Sequence, residues 1–242
     1  SGGVFSSIVC CGSFGKKSNL DVKWKRAFTI NSSRKLNRFT GIKYHIQTAF
    51  AADTIALHNF KNGYCGISKV EGDCYCLCYL THTDNLKKND QSIEKMEEQV
   101  LYANPHLKEI FTHSKKLYPT PVSISQISFL QKTQIENHVL LMGDAAGLIT
   151  PLCGNGMSMA LHASKIAAGH VALFLEKKIS RGQLETAYVK DWRLNFATRL
   201  RYGRMIQFFF GKNWVTNLFI AFMKKTPSVT RWLIRQTHGK PF

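Results

Sequence analysis

Between Gly143 and Ala160 the chain reads GDAAGLITPLCGNGMSMA, an acid at the end of an apolar run, then a proline-kinked loop, then a helix opened by glycines. An aspartate delivered by a strand, close to helix N–H groups that have no partner of their own, makes a socket for an anionic or electron-rich ligand group. Gly154 and Gly156 lack a Cβ, so the backbone there can approach a ligand closely, and Pro151 stiffens the loop ahead of them. This is a cofactor-binding geometry. Asp144 taken alone has a blander reading as a turn or capping residue.

Two elements must position these residues. HVLLMG, short, apolar and rich in branched side chains, predicts a buried strand of a mainly parallel sheet. MSMALHASKIAAGHVALFLEKK keeps an apolar face at helical spacing, and Lys177 and Lys178 mark its end, where they complement the helix dipole. Ala160, Ala163, Ala167 and Ala168 let such a helix lie close to a sheet or a ligand. Reading GNGMSMA as a dinucleotide fingerprint fails on spacing, because Met159 stands where a third glycine or alanine is required. Nor does a strand with a ribose-binding acid follow, since Glu176 leads into two lysines and a turn.

As a whole, the string resembles the second FAD-binding motif of flavoprotein monooxygenases and of geranylgeranyl-reductase-like oxidoreductases, a GD pair, a proline, then GxG. The match is Gly143 and Asp144, then Pro151, then Gly154 and Gly156. The resemblance implies that Asp144 hydrogen-bonds the ribityl chain of FAD and that Pro151 sits near the reactive edge of the isoalloxazine. It also implies that the helix opening at Gly156 and Met157 faces the flavin pyrimidine, where negative charge collects on reduction. The cofactor-contacting set is then Gly143, Asp144, Pro151, Gly154, Asn155, Gly156 and Met157, with NADH or NADPH as reductant. Many monooxygenases of this family carry a histidine after GDAA, and this chain has Gly147, which weakens the case for aromatic hydroxylation.

No strand-GxGxxG-helix unit precedes the GDAAG string, so the family's pyrophosphate-binding motif has no counterpart, and the chain is expected to be the C-terminal part of a larger flavoprotein with low or absent FAD affinity of its own. Ser6 to Cys11 is apolar enough for one core strand. The turn GSFGKKS after it resembles the family's middle motif at Gly15 and Ser18, with Phe14 where Asp is expected; a plain strand-to-loop turn fits equally well.

From about residue 22 to 131 the pattern is that of an antiparallel sheet with a covering helix. TIALHNF, YCGISKV and CYCLCYLTH are strands separated by KNG and EGD at hairpin spacing. Further strands are expected in TGIKYHIQT and PVSISQISFL, and a short helix or turn in PHLKEIF. SIEKMEEQVLY is amphipathic, with Ile93, Met96, Val100 and Leu101 on one side and acids on the other. Tyr44, His45, His58 and Tyr64 read as hydrogen-bonded core or rim residues of the strands. No catalytic residue is assigned, because a flavin carries the redox chemistry and the protein supplies orientation and electrostatics.

Cys74, Cys76 and Cys78 alternate along one strand, a spacing too extended for a zinc knuckle, so no metal is expected. Cys65 is placed to pair across the hairpin with that row. An odd total of 7 cysteines and no secretion signal instead favour free, buried thiols in a reducing, cytoplasmic compartment. Cys153, inside the glycine loop, is either a small filler or a redox-sensitive thiol.

Hydrophobic residues at 44% with 12% aromatics fit a folded chain, and 33 basic against 15 acidic residues leave a net charge of +18 that favours anionic partners. None of the known nucleic-acid recognition modules is present, so no specific nucleic acid is expected. From Asp191 onward arginines mix with aromatics in helices broken near Gly211 and Pro227. WVTNLFIAFM is too short to span a bilayer, leaving a buried helix pair over the flavin domain or an interfacial membrane contact.

The fold class is α/β plus α+β: a partial FAD/NAD(P)-binding Rossmann-like domain, an inserted antiparallel-sheet substrate domain and a C-terminal helical region. Expected boundaries are 1–21 for a residual strand and turn, 22–131 for the sheet domain, 132–178 for the return to the FAD domain and 179–242 for the helices. The function expected from the resemblance is an FAD-dependent oxidoreductase that hydroxylates, or reduces a double bond of, an apolar or lipid-like small molecule. One alternative is a basic peripheral membrane protein that kept the fold and lost the cofactor; another, motivated by charge alone, is a nucleic-acid-binding domain. Flavin halogenation is a lesser option, because a related halogenase would carry a WxWxIP string that this sequence lacks.

Overall fold

Turn residues at hairpin spacing and apolar runs too short for anything but strands set the order of elements. In a computed structural model, which describes residues 6–30, 38–211 and 213–238, the chain starts with β1 (Cys10–Gly12) and the short helices α1 (Asn19–Lys23) and α2 (Ala27–Ile30). Strands β2 (Phe39–Gln47), β3 (Ala56–Phe60), β4 (Gly63–Lys69) and β5 (Tyr75–His82) follow. Then come α3 (Thr83–Lys87), α4 (Ile93–Met96) with a π-helical continuation (Glu97–Leu101), and α5 (Pro105–His113). After β6 (Lys115–Lys116), β7 (Val122–Ile127), β8 (Ile135–Glu136) and β9 (Val139–Leu141) lie two 3-10 turns, Gly143–Ala145 and Pro151–Cys153. The remaining helices are α6 (Gly156–Leu175), α7 (Arg181–Phe209), α8 (Asn213–Lys225) and α9 (Pro227–Thr237).

Both halves of the expected fold class are present. The elements form two compact units, one of Ser1–Ser33, Ser128–Met205 and Arg231–Phe242, the other of Arg34–Ile127 and Ile206–Thr230. In the second unit β2, β3, β4 and β5 form an antiparallel sheet in the order β3-β4-β5-β2, extended beyond β2 by β6 and β7. Asn62 and Gly72 take left-handed φ values of 61° and 60°, which lets the chain reverse within the two expected hairpin turns. Ile42, Tyr44 and Ile46 of β2 and Leu77 and Tyr79 of β5 point to one face, where Met96, Leu101, Leu107 and Phe111 of the helical segment cover them.

Three expectations for these elements change. Cys65 lies opposite Tyr79 whereas Gly66 lies opposite Cys78 and Ser68 opposite Cys76, so Cys65 faces the core and the thiol row faces the other way. All seven cysteines are free, and Cys10, Cys11 and Cys78 are exposed rather than buried. The opening strand is three residues long, not six, and Ile8 is exposed, because its partner β9 offers only Val139, Leu140 and Leu141 for parallel pairing. The sheet formed by β1, β9 and β8 is mixed, with β8 antiparallel to β9.

The third change concerns the acids of SIEKMEEQVLY, not all of which face solvent. Glu97 stands four residues after Ile93 and four before Leu101, on the apolar side of the helix, and its carboxylate accepts hydrogen bonds from Tyr44 Oη at 2.8 Å and Tyr79 Oη at 2.7 Å. Burial pushes the Glu97 carboxyl above the usual carboxylate range, against the pull of the two hydroxyls. A raised folded value means that its contribution to stability is complete below the ordinary carboxylate pKa and is lost as pH rises through the folded one. Glu97→Gln should flatten that part of the stability–pH curve in urea denaturation, and Tyr79→Phe should cost about 1–2 kcal/mol where Glu97 is protonated and more where it is ionised. The other strand residues singled out by type are also packed structurally: His45 lies edge-on to Tyr118, His58 beside His106, and Tyr64 edge-on to Phe210.

The first unit builds its core between β9, α6 and α7. Leu184, Tyr188, Trp192, Phe196 and Leu200 recur every four residues on α7 and meet Leu140, Leu141, Met159, Ala163 and Ala167. The helices do break at Gly211 and Pro227, but α8 and α9 are not a buried pair: Trp214, Leu218, Phe222 and Trp232 are exposed. Among the described residues no helix is long and apolar enough to cross a membrane.

Candidate functional site

The site begins where β9 stops. Tyr188 Oη donates to the Leu141 carbonyl at 2.6 Å, and Met142 N donates to the Gly12 carbonyl at 3.0 Å, fixing the strand end. Gly143 then takes φ 57°, and a Cβ on it would stand 3.3 Å from Ala160 Cβ of α6, so position 143 needs both the left-handed backbone and the missing side chain. The 3-10 turn that follows carries Asp144.

Three buried side chains hold this turn by three consecutive carbonyls. Lys132 Nζ donates to Asp144 O at 2.7 Å, Arg26 Nη1 to Ala145 O at 3.0 Å, and Gln134 Nε2 to Ala146 O at 3.2 Å. Each is anchored elsewhere. Lys132 Nζ also donates to Lys16 O at 2.6 Å and lies 4.4 Å from the Phe28 ring centroid. Arg26 pairs with Asp21 at 2.6 Å and donates to Thr133 O at 2.8 Å, and its Nε stands 3.6 Å from a Glu136 oxygen, an ion contact too long for a hydrogen bond. Burial, helped by the Arg26 charge, pushes the Lys132 ammonium down to about 8, while burial raises the Asp144 carboxyl and Lys132 opposes that rise.

Sequence reasoning missed this clamp, because its donors lie up to 119 residues from the carbonyls they hold. One local signal was legible in part: Ser18 caps α1 and Asp21 returns a hydrogen bond to the Ser18 amide at 2.7 Å, the S-x-x-D box that starts a helix. Ser18, matched to the middle motif by resemblance, therefore serves as a helix cap, and Phe14 packs against Trp24.

Beyond the turn, Gly154 takes φ 68° and a Cβ there would meet no atom within 4 Å, so the loop backbone is open to a ligand. α6 starts at Gly156 with no side-chain cap, leaving its first amides without an intrahelical acceptor. Asn155 Nδ2 donates instead to the Thr237 carbonyl at the end of α9, and Asn155 Oδ1 is buried without a partner. All seven residues singled out by sequence, Gly143, Asp144, Pro151, Gly154, Asn155, Gly156 and Met157, line one cleft of about 470 Å³, together with Ser13 and Gly15 of the opening turn. That is within the size range of cofactor sites.

Cys153 is the filler rather than the redox thiol: it is buried, Thr150 Oγ1 lies 3.6 Å from its sulfur, and burial pushes its thiol up. The departure at Gly147 also has a steric cause. A Cβ there would stand 2.9 Å from both Leu200 Cδ1 and the Trp192 ring, so no histidine fits. Gly147→Ala should cost about 1–3 kcal/mol by overpacking, read from the urea midpoint.

No family model matches the chain. It is 23% identical over 127 residues to tryptophan 2-halogenase of Chondromyces crocatus, covering 52% of this chain and 24% of that protein. Among solved structures it superimposes on the flavin-dependent brominase Bmp2 with a TM-score of 0.72 at 18% identity, covering 98% of this chain and 59% of that one. PqsL, a probable FAD-dependent monooxygenase from Pseudomonas aeruginosa, gives a TM-score of 0.56 at 15% identity over 86% of this chain and 57% of that one. A geranylgeranyl bacteriochlorophyll reductase-like protein from Thermoplasma acidophilum gives 0.56 at 15% identity over 72% and 43%. The fold is thus the one shared by flavoprotein monooxygenases, flavin-dependent halogenases and geranylgeranyl-reductase-like proteins. The chain spans about a quarter of the curated halogenase and no more than 59% of these solved chains.

Proposed function

We propose that the chain belongs to an FAD-dependent oxidoreductase and that the cleft at Asp144 receives the ribityl and isoalloxazine end of FAD. The observation that carries this reading is that Asp144 and the uncapped first turn of α6 line the same cleft. The residues fit that end of the cofactor. The Gly154 backbone is open, the Asn155 Oδ1 atom is buried without a donor, and Asp144 offers an acceptor for a ribityl hydroxyl. Nothing in the sequence supplies a glycine-rich turn for the pyrophosphate, so affinity in this chain rests on the ring and ribityl contacts.

Bound FAD would supply the redox chemistry, taking reducing equivalents from NADH or NADPH and passing them to a carbon–carbon double bond or to oxygen for hydroxylation of an apolar or lipid-like molecule. The protein's part is electrostatic and positional. The free amides at Gly156 and Met157, at the positive end of a 20-residue helix, favour negative charge on the ring edge they face. Lys132, Arg26 and Gln134 hold the backbone of the Asp144 turn from behind, so that its carboxylate meets the ligand without reorganisation. Pro151 restricts the loop beside it.

Quenching of flavin fluorescence on titration with the protein tests the reading. Weak, saturable binding is expected, reduced about ten- to a hundredfold by Asp144→Ala. Binding unchanged by that substitution would mean that the cleft is not the flavin site. Oxygen uptake by the intact protein with NADPH separates the outcomes, since a reductase consumes reductant without incorporating oxygen, and a halide-dependent product would point to halogenation, the activity of the brominase it superimposes on.

A further inference from the structure

A helix at a protein surface ordinarily buries its apolar stripe and shows polar residues to water. α8 does the reverse. Thr216 is buried, and Phe219 stacks on Phe209 with centroids 5.0 Å apart. On the opposite side Trp214, Leu218 and Phe222 follow at steps of four, 73%, 65% and 51% exposed, and Lys225 falls on the same side. Lys224 and Lys225 close the helix as an exposed basic pair. Along this part of the sequence the charge has one sign. From Trp192 to Phe242 the sequence holds ten lysines and arginines and no aspartate or glutamate.

From this pairing of an outward apolar stripe with an acid-free basic segment, we propose that α8 docks on the surface of an anionic membrane. Trp214, Leu218 and Phe222 enter the boundary between headgroups and acyl chains, and Lys224 and Lys225 meet lipid phosphates and carboxylates. The helix lies on the bilayer, not across it, since no described helix is long and apolar enough to span. Nucleic acid would satisfy the charge and leave the apolar stripe in water. A second copy of the chain would bring a segment with no acidic residue against itself, a like-charge contact. The proposal does not depend on flavin binding.

Sedimentation with vesicles tests it, using phosphatidylcholine alone and phosphatidylcholine mixed with phosphatidylserine. The protein should pellet with the mixed vesicles, at least about tenfold more tightly than with the neutral ones, and less so at high salt. Trp214→Ser/Leu218→Ser/Phe222→Ser should weaken binding about tenfold or more with an unchanged circular dichroism spectrum, as the three side chains are exposed. Lys224→Glu/Lys225→Glu should weaken it for mixed vesicles alone. Failure to bind mixed vesicles overturns the proposal. So does binding that salt abolishes but the triple variant leaves intact, which would be charge attraction alone. Sedimentation velocity decides against a second copy: a dimer that the triple variant dissociates, with no vesicle binding by either protein, also overturns it.

Discussion

Arg26→Met should destabilise the protein by about 3–5 kcal/mol, the largest loss expected for any single substitution in this chain. Both members of the Arg26–Asp21 pair are at most 1% exposed, so removing the guanidinium leaves a carboxylate in the interior with the cost of its desolvation uncompensated. The carbonyls of Thr133 and Ala145 lose their donors at the same time. Replacing both ions separates the two causes. Asp21→Leu/Arg26→Met should recover the part due to the stranded charge and keep the part due to two buried carbonyls, about 1–3 kcal/mol each. The urea midpoints of the three proteins measure this. A loss under about 1 kcal/mol in the single variant would mean that the network relaxes into water and does not hold the Asp144 turn.

The elements that could be read from sequence are those whose pattern is local. The hairpins announce themselves through KNG and EGD between alternating strands, and the site string places all seven of its residues on one cleft because strand, loop and helix are contiguous. What escaped the sequence depends on distance or on register. Arg26 and Lys132 are polar residues outside any periodic element, and nothing within ten residues of either says that each will donate to the turn after β9. Glu97 was assigned to solvent because it is an acid, although its helical spacing groups it with Ile93 and Leu101; the Tyr44 and Tyr79 hydroxyls that satisfy it inside lie 53 and 18 residues away. Cys65 looked able to meet the thiol row until register was known, since a difference of one residue moves a side chain to the other face of the sheet. The exposure of Trp214, Leu218 and Phe222 was equally invisible, because an apolar stripe has the same spacing whether it faces the core or water.

Lys132 gives the second large effect, and its sign runs against the usual alkaline loss of stability. With its folded value pushed down to about 8 from an ordinary 10.5, the unfolded chain holds this proton more tightly across that interval. Stability therefore gains from this group as pH rises from about 8 towards 10.5, by up to about 3 kcal/mol, and the gain is lost as pH falls back through 8. Lys132→Met should abolish the rise in denaturation curves taken across the window. Flavin affinity should respond differently. A neutral amine still has two N–H groups, enough for the carbonyls of Lys16 and Asp144, so affinity in the unsubstituted protein should hold above pH 8 while Lys132→Met weakens it about tenfold at every pH. If affinity in the unsubstituted protein instead fell in step with deprotonation, the positive charge of Lys132, and not its grip on the Asp144 turn, would be what the cofactor requires.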